Sequence, residues 1–207
     1  MLIDAKTRAR AARHLAQSDP EMRAIVKRLG PCRFEIDRGG GPFASLSEAI
    51  VYQQITGSAA NAILGRLRER MGRRYARPED IARLSDLDLR GAGLSRQKIG
   101  YLRDLTARAL DGLPLHRVSR MDDETAILTM TAVKGVGRWT AQMYLMFRLG
   151  RLDVLPVADY GVRKSLQKHY GFRSLPKPDR MTRVAEAWRP YRSVACWYLW
   201  RSLDTEE

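Results

Sequence analysis

Apolar residues recur every three to four positions along most of the chain, with Arg, Lys and Glu between them. No stretch of useful length alternates apolar and polar residues one by one, so the pattern predicts an all-α protein. Residues 4–17 and 19–29 predict two helices parted at Ser18-Asp19-Pro20, a cap followed by a first-turn proline. Gly30-Pro31 stops the second, and RGGGP, ending at Pro42, is a flexible connector. Ser45-Leu46-Ser47-Glu48 has the spacing of a capping box and opens the helix SEAIVYQQI, whose Ala49, Ile50 and Ile55 can face a core. Ser58 is expected to cap the next helix, with Ile63, Leu64, Leu67 and Met71 on one stripe, and Tyr52-Gln53-Gln54 falls at the break between the two.

One or two short helices fill Pro78 to Leu89. Ser95 then caps a longer helix with Ile99, Leu102, Leu105 and Ala109 inward and Arg96, Lys98, Arg103 and Arg108 outward. Asp122-Asp123-Glu124 puts negative charge at the start of a helix to Met130. Beyond Asp159 the pattern gives helices from Tyr160 to His169, from Asp179, and from Pro190 through Trp200, with Trp197 and Tyr198 as core aromatics.

The stretch from Thr131 to Asp159, TAVKGVGRWTAQMYLMFRLGRLDVLPVAD, reads as a short hairpin, a helix and an acidic residue at a turn. Gly135 and Gly137 flank one apolar residue, Val136, just before a helical pattern. The backbone there can turn tightly and aim amide N–H groups at an anion, which the helix dipole also favours. A DNA or RNA backbone fits such a turn, with Lys134, Arg138 and Thr140 beside it. The run to Asp159 then returns one carboxylate, readable as a catalytic acid or as the cap of the helix that follows.

The chain has 207 residues and a net charge of +14, an imbalance that points to a polyanionic partner. Nothing in it reads as a secretory signal or a membrane-spanning run, so an intracellular, cytoplasmic protein is expected. Cys32 and Cys196 cannot build a four-cysteine iron–sulfur or zinc site, and His14, His116 and His169 have no ligand spacing. No cofactor is therefore expected.

Gly-x-Gly followed by Arg138-Trp139-Thr140-Ala141, an apolar helix and Pro-x-x-Asp resembles the helix-hairpin-helix DNA glycosylase superfamily. Within it, GVGRWTA, VLPVADYGVRK and WRPYRSVACWYLW are most similar to the 3-methyladenine DNA glycosylase II family. The resemblance implies a two-lobed helical fold: residues 1–44 and 160–207 form one lobe, residues 45–159 the other, and the catalytic stretch lies at the cleft between them.

It also implies a monofunctional enzyme that flips alkylated purines out of duplex DNA and hydrolyses the N-glycosidic bond, acting as a monomer. Asp159 matches the catalytic aspartate. Trp139, Trp200, Tyr52 and Met143 match the base pocket, with Met143 standing where relatives often have an aromatic residue. Gln54, with Gln53, matches the residue inserted into the DNA stack, although both glutamines could equally cap helix ends. The resemblance further implies a sodium or potassium ion on the backbone carbonyls of Thr131, Val133 and Val136. Bifunctional relatives carry a lysine nucleophile at the position of Trp139. A glycosylase/lyase and a helix-hairpin-helix DNA-binding protein without catalysis are the alternatives.

Overall fold

The structure is a computed structural model. It describes residues 3–37 and 39–204; positions 1, 2, 38 and 205–207, assigned above to the terminal lobe and the connector, lie outside the described residues. Among the described residues all regular structure is helical. In chain order the helices are α1 (Ala5–Ser18), α2 (Pro20–Leu29), α3 (Pro42–Tyr52), α4 (Gly57–Met71), α5 (Pro78–Arg83), α6 (Asp86–Gly91) and α7 (Arg96–Leu110). After them come α8 (Asp123–Thr131), α9 (Arg138–Phe147), α10 (Tyr160–His169), α11 (Pro178–Ala185) and α12 (Arg192–Asp204).

The chain divides into two compact units, the described parts of Met1–Asp37 with Gln142–Glu207, and of Arg38–Ala141. The division falls inside α9 rather than at 44/45 and 159/160, so the loop leading to Asp159 groups with the terminal helices.

In the terminal unit, Asp19 joins α1 to α2. Its Oδ1 accepts the Met22 N–H (3.0 Å), and its Oδ2 accepts the Tyr170 hydroxyl (2.7 Å) and the Trp188 indole N–H (2.8 Å). A carboxylate this buried is tolerable because each donor replaces lost hydration. Around it Leu15, Met22, Ile25, Leu166, Met181, Trp188 and Tyr198 form the core. Of the two aromatics expected in that core, Tyr198 is fully buried, while Trp197 is half-buried with its ring against Tyr198 and Arg201. The last helix begins at Arg192, not Pro190, which lies in the turn before it.

In the central unit, α3, α5 and α6 pack on α7 around Leu46, Ile50, Ile81, Leu89, Leu102 and Leu105. Four expectations are corrected there. Helix α3 begins at Pro42 with Gly41 as its N-cap, because a proline at the first position needs no N–H partner. Ser45 and Ser47 therefore lie inside the helix, Ser47 bonding the Phe43 carbonyl (2.8 Å), and make no capping box. Helix α4 is capped by Thr56, which accepts the Ala59 N–H (3.3 Å), rather than by Ser58. Ile55 lies in the exposed turn between α3 and α4 instead of the core. The fourth correction is Lys98, which turns inward and is buried.

Candidate active site and nucleic-acid interface

Helix α8 ends at Thr131, and the chain reverses over Val133–Gly137 before α9. The turn is closed by the Val136 N–H on the Val133 carbonyl (3.1 Å), and the Gly137 carbonyl accepts the Ala141 N–H (3.1 Å) to start the helix. Gly135 has φ +80°, and a Cβ there would lie 2.3 Å from the Tyr101 ring, so only glycine fits. Gly137 differs: a Cβ would meet nothing within 4 Å. The turn thus presents open backbone at Gly137 while Gly135 seats it on α7.

The hairpin is held to α7 by charge as well. The Lys134 N–H donates to Asp104 Oδ2 (2.8 Å) and its ammonium lies 4.0 Å from Oδ1. Burial pushes the Asp104 carboxyl up, but the Lys134 N–H and the Arg108 guanidinium outweigh it and hold the group below the usual carboxylate range. Arg138 makes a two-pronged pair with Glu124, 2.8 Å at the first prong. The amides of Lys134 and Val136 are therefore engaged within the protein, whereas those of Gly135 and Gly137 have no acceptor among the described residues. The sequence does not single out Tyr101 or Asp104, and offers Glu124 only as first-turn charge, because each acts on a hairpin residue well removed along the chain.

Tyr52, Gln53 and Gln54 form the turn after α3. Gln54 is exposed and has φ +56°, the one non-glycine residue with positive φ among those described. Such a backbone is unfavourable for a side-chain-bearing residue and persists only where its surroundings impose it. Gln53 supplies part of that constraint, its Nε2 donating to the Gly135 carbonyl (2.7 Å). The sequence offers Gln53 and Gln54 interchangeably; the structure separates them, one tied to the hairpin and the other projecting. Tyr52 is 41% exposed, with its hydroxyl on Asn61 Oδ1 (2.6 Å).

In the terminal unit, the loop from Leu149 to Asp159 is fixed at several points. Gln142 donates to the Leu155 carbonyl (3.2 Å), the Ser193 hydroxyl takes the Val154 N–H (2.9 Å) and gives to the Arg151 carbonyl (2.7 Å), and Asp153 pairs with Arg189 and Arg192 (2.8 Å each). Asp159 follows as the N-cap of α10 and is 8% exposed. Its Oδ1 accepts both the Val162 N–H and the Trp200 indole N–H, each at 2.8 Å. Gly161 makes room for the indole: a Cβ there would lie 2.8 Å from Trp200 Cδ1 and 3.2 Å from Asp159 Oδ1. Cap and indole together fix the carboxylate.

Trp200 is half-buried and its ring stacks at a tilt on Phe147, centroids 5.8 Å apart. Met143 is half-buried, Thr140 likewise, and Trp139 is 47% exposed. Tyr160, next to Asp159, is 64% exposed and is a site candidate that the helical pattern alone passes over. Cys32 and Cys196 are both buried thiols, and no group of three or more His, Cys, Asp or Glu side chains suited to a metal occurs among the described residues. No helix among them is long and apolar enough to cross a membrane.

A family model for the HhH-GPD superfamily base excision DNA repair proteins matches residues 48–190. The DNA-3-methyladenine glycosylase 1 of Schizosaccharomyces pombe is 30% identical over 193 residues, 91% of this chain and 85% of that protein. The crystal structure of a DNA-3-methyladenine glycosidase from Bacillus halodurans is similar with a TM-score of 0.85 and 35% identity, covering 94% of this chain and 89% of that one. The Schizosaccharomyces pombe 3-methyladenine DNA glycosylase in complex with abasic DNA gives a TM-score of 0.80 and 29% identity over 95% of this chain and 98% of that one.

Proposed function

The chain belongs to the HhH-GPD superfamily of base excision DNA repair proteins, and within it to the DNA-3-methyladenine glycosylases, and on that premise we propose that it hydrolyses the N-glycosidic bond of alkylated purines in duplex DNA, with Asp159 as the catalytic carboxylate. The observation that carries this reading is the Asp159 carboxylate itself, buried at the start of α10 and oriented by the Trp200 indole N–H at 2.8 Å. A simple cap needs no second donor on the same oxygen.

The chemistry follows from the substrate. Rotating a nucleotide out of the stack costs roughly a few kcal/mol, and a damaged base, already weakly paired, costs least. An alkylated purine carries positive charge, so indole faces attract it; Trp139 and Trp200 are the indoles proposed to stack on the base, with Tyr52 and Met143 as further contacts. As the C1′–N bond breaks, the base leaves with the bonding pair and becomes neutral, while positive charge builds on the sugar. Asp159 stabilises that charge, water adds to C1′ and releases a proton, and an abasic site remains. The leaving group is already cationic, which accounts for one carboxylate sufficing.

Trp139 stands where a lyase would need an amine nucleophile, which supports the monofunctional route. The hairpin grips backbone phosphate through the amides of Gly135, Gly137 and the first turn of α9, with Val136 shaping the turn and Lys134, Arg138 and Thr140 flanking it. Gln54 fills the gap left by the flipped base. A sodium or potassium ion suits the carbonyls of Thr131, at the end of α8, and of Val133 and Val136 in the turn, all hard oxygen donors; the Val133 oxygen, which already accepts the Val136 N–H (3.1 Å), would offer its second lone pair. Held there, it would add positive charge beside the hairpin and favour a phosphate. The protein acts as a monomer in the cytoplasm, and on the nucleoid if the cell is bacterial.

Incubation with duplexes each carrying one lesion, followed by alkali, tests the reading: strand breaks at 3-methyladenine or 7-methylguanine but not at normal purines are expected. Binding without breaks on every lesion would favour a non-catalytic DNA-binding protein.

A further inference from the structure

Lys98 is a buried cation that the chemistry above does not use. Its side chain passes inward from the first turn of α7, and its Nζ donates to the Val51 carbonyl at 2.7 Å. That carbonyl belongs to the last turn of α3, where a helix leaves its oxygens without intrahelical donors. Burial holds the ammonium below the usual lysine range, so the site tolerates a charge at a cost that an ordinary core position would avoid.

The same stripe of α7 continues to the hairpin. Lys98, Tyr101 and Asp104, three residues apart, lie one above another on the helix face. Lys98 holds the end of α3, the Tyr101 ring lies under Gly135, and Asp104 takes the Lys134 N–H. Between these anchors, Gln53 bonds the Gly135 carbonyl and Gln54 adopts its positive φ. The end of α3 and the phosphate-facing turn therefore share one rigid support.

We propose that Lys98 is a positioning residue that, with Gln53, locks the Tyr52–Ile55 turn to the hairpin so that gripping a phosphate presents Gln54 to the base stack. The inference rests on the assignment of Gln54 as the inserted residue. Lys98 fixes where α3 ends, and Gln53 fixes the register of the turn against Gly135. A turn released from either anchor relaxes its strained Gln54 backbone and no longer fills the gap.

The readout is the ratio of single-turnover excision rates on duplex and single-stranded lesion DNA, because a merely structural defect lowers both rates alike. Lys98→Met replaces the ammonium by an apolar chain of similar length, a change that buried charges often tolerate. It is expected to lower the ratio about tenfold, as loss of one charge-assisted hydrogen bond implies. Gln53→Ala, a half-buried position that leaves the core untouched, is expected to act in the same direction and carries the test if the Met variant does not fold.

In a Gln54→Ala background neither change should lower the ratio further, since both act through Gln54. A ratio unchanged by Lys98→Met and Gln53→Ala, or losses that multiply with Gln54→Ala, would overturn the proposal. If Gln54→Ala alone leaves the ratio unchanged, the insertion reading fails and the proposal falls with it. If the unaltered protein releases no base, the glycosylase assignment itself is at fault.

Discussion

Trp200→Phe separates an orienting indole from a merely aromatic one. The substitution keeps a ring against Phe147 and removes the N–H that reaches Asp159 Oδ1 at 2.8 Å. A hydrogen bond to a charged group contributes about 1.5–3 kcal/mol, so a transition state that depends on it should be reached roughly ten- to a hundredfold more slowly. The assay is single-turnover release of 3-methyladenine from duplex, beside affinity for a duplex carrying an abasic-site analogue, which has no base to stack and should bind about as before. Gly161→Ala attacks the same contact from the other side. Its Cβ would lie 2.8 Å from Trp200 Cδ1, closer than real contacts allow, so the indole must move. Alanine is otherwise the better helix former by about 0.8–1.0 kcal/mol, and a slower enzyme that is no less stable would be diagnostic. Release within twofold of the parent rate in both variants would show that Asp159 does not need the indole.

The two hairpin glycines should behave differently. Gly135→Ala meets both a positive φ and the Tyr101 ring, so it should lower the unfolding midpoint and binding together, whereas Gly137→Val should leave the midpoint unchanged and weaken binding to lesion and undamaged duplex alike. Equal affinity of the Gly137 variant across a salt titration would remove the hairpin as the grip. Borohydride should trap no protein–DNA adduct on any duplex the protein cleaves, because the Trp139 position offers no amine; a trapped adduct would point to Lys134. Burial raises the Cys32 thiol to about 11, and likewise raises Cys196 and the Tyr198 phenol. Groups raised on folding stabilise fully below their unfolded values and lose that contribution as pH climbs, so urea midpoints should hold through neutral pH and fall above pH 9.0. Cys32→Ala should flatten the fall between there and about pH 11.

Much of the scaffold is legible in the sequence because it rests on local physics. Asp19-Pro20 stops one helix and starts another, and Asp122 caps α8 through the Thr125 N–H (2.9 Å). The Gly-x-Gly turn announces itself, although its two glycines look alike until Tyr101 is seen beneath one of them. At α3 two local signals compete: Ser-x-x-Glu suggests a cap at Ser45, but Pro42 sets the backbone three residues earlier and the serines become interior. Lys98 escapes the amphipathic pattern because a long flexible stem can carry its charge to a carbonyl that the spacing of apolar residues does not reveal.

For the candidate site, the sequence offers Asp159, Trp200, Gln53 and Gly135 as candidates but not the contacts they make. Asp159 and Trp200 are separated by 41 positions, Gln53 and Gly135 by 82, and Lys134 and Asp104 by 30. No periodicity encodes such pairs. They follow from how α12 meets the start of α10 in one unit, and how α3 and α7 meet the hairpin in the other.

The central claim is that the Asp159 carboxylate stabilises the sugar cation, and Asp159→Asn tests it most directly by keeping size while removing the charge. One well-placed electrostatic stabiliser is worth about 2.7–4 kcal/mol, or a hundred- to a thousandfold in rate. The variant should bind the abasic-site duplex as the parent does and lose most release of 3-methyladenine in single turnover. Release within a fewfold of the parent rate would reduce Asp159 to the cap of α10 and contradict the account.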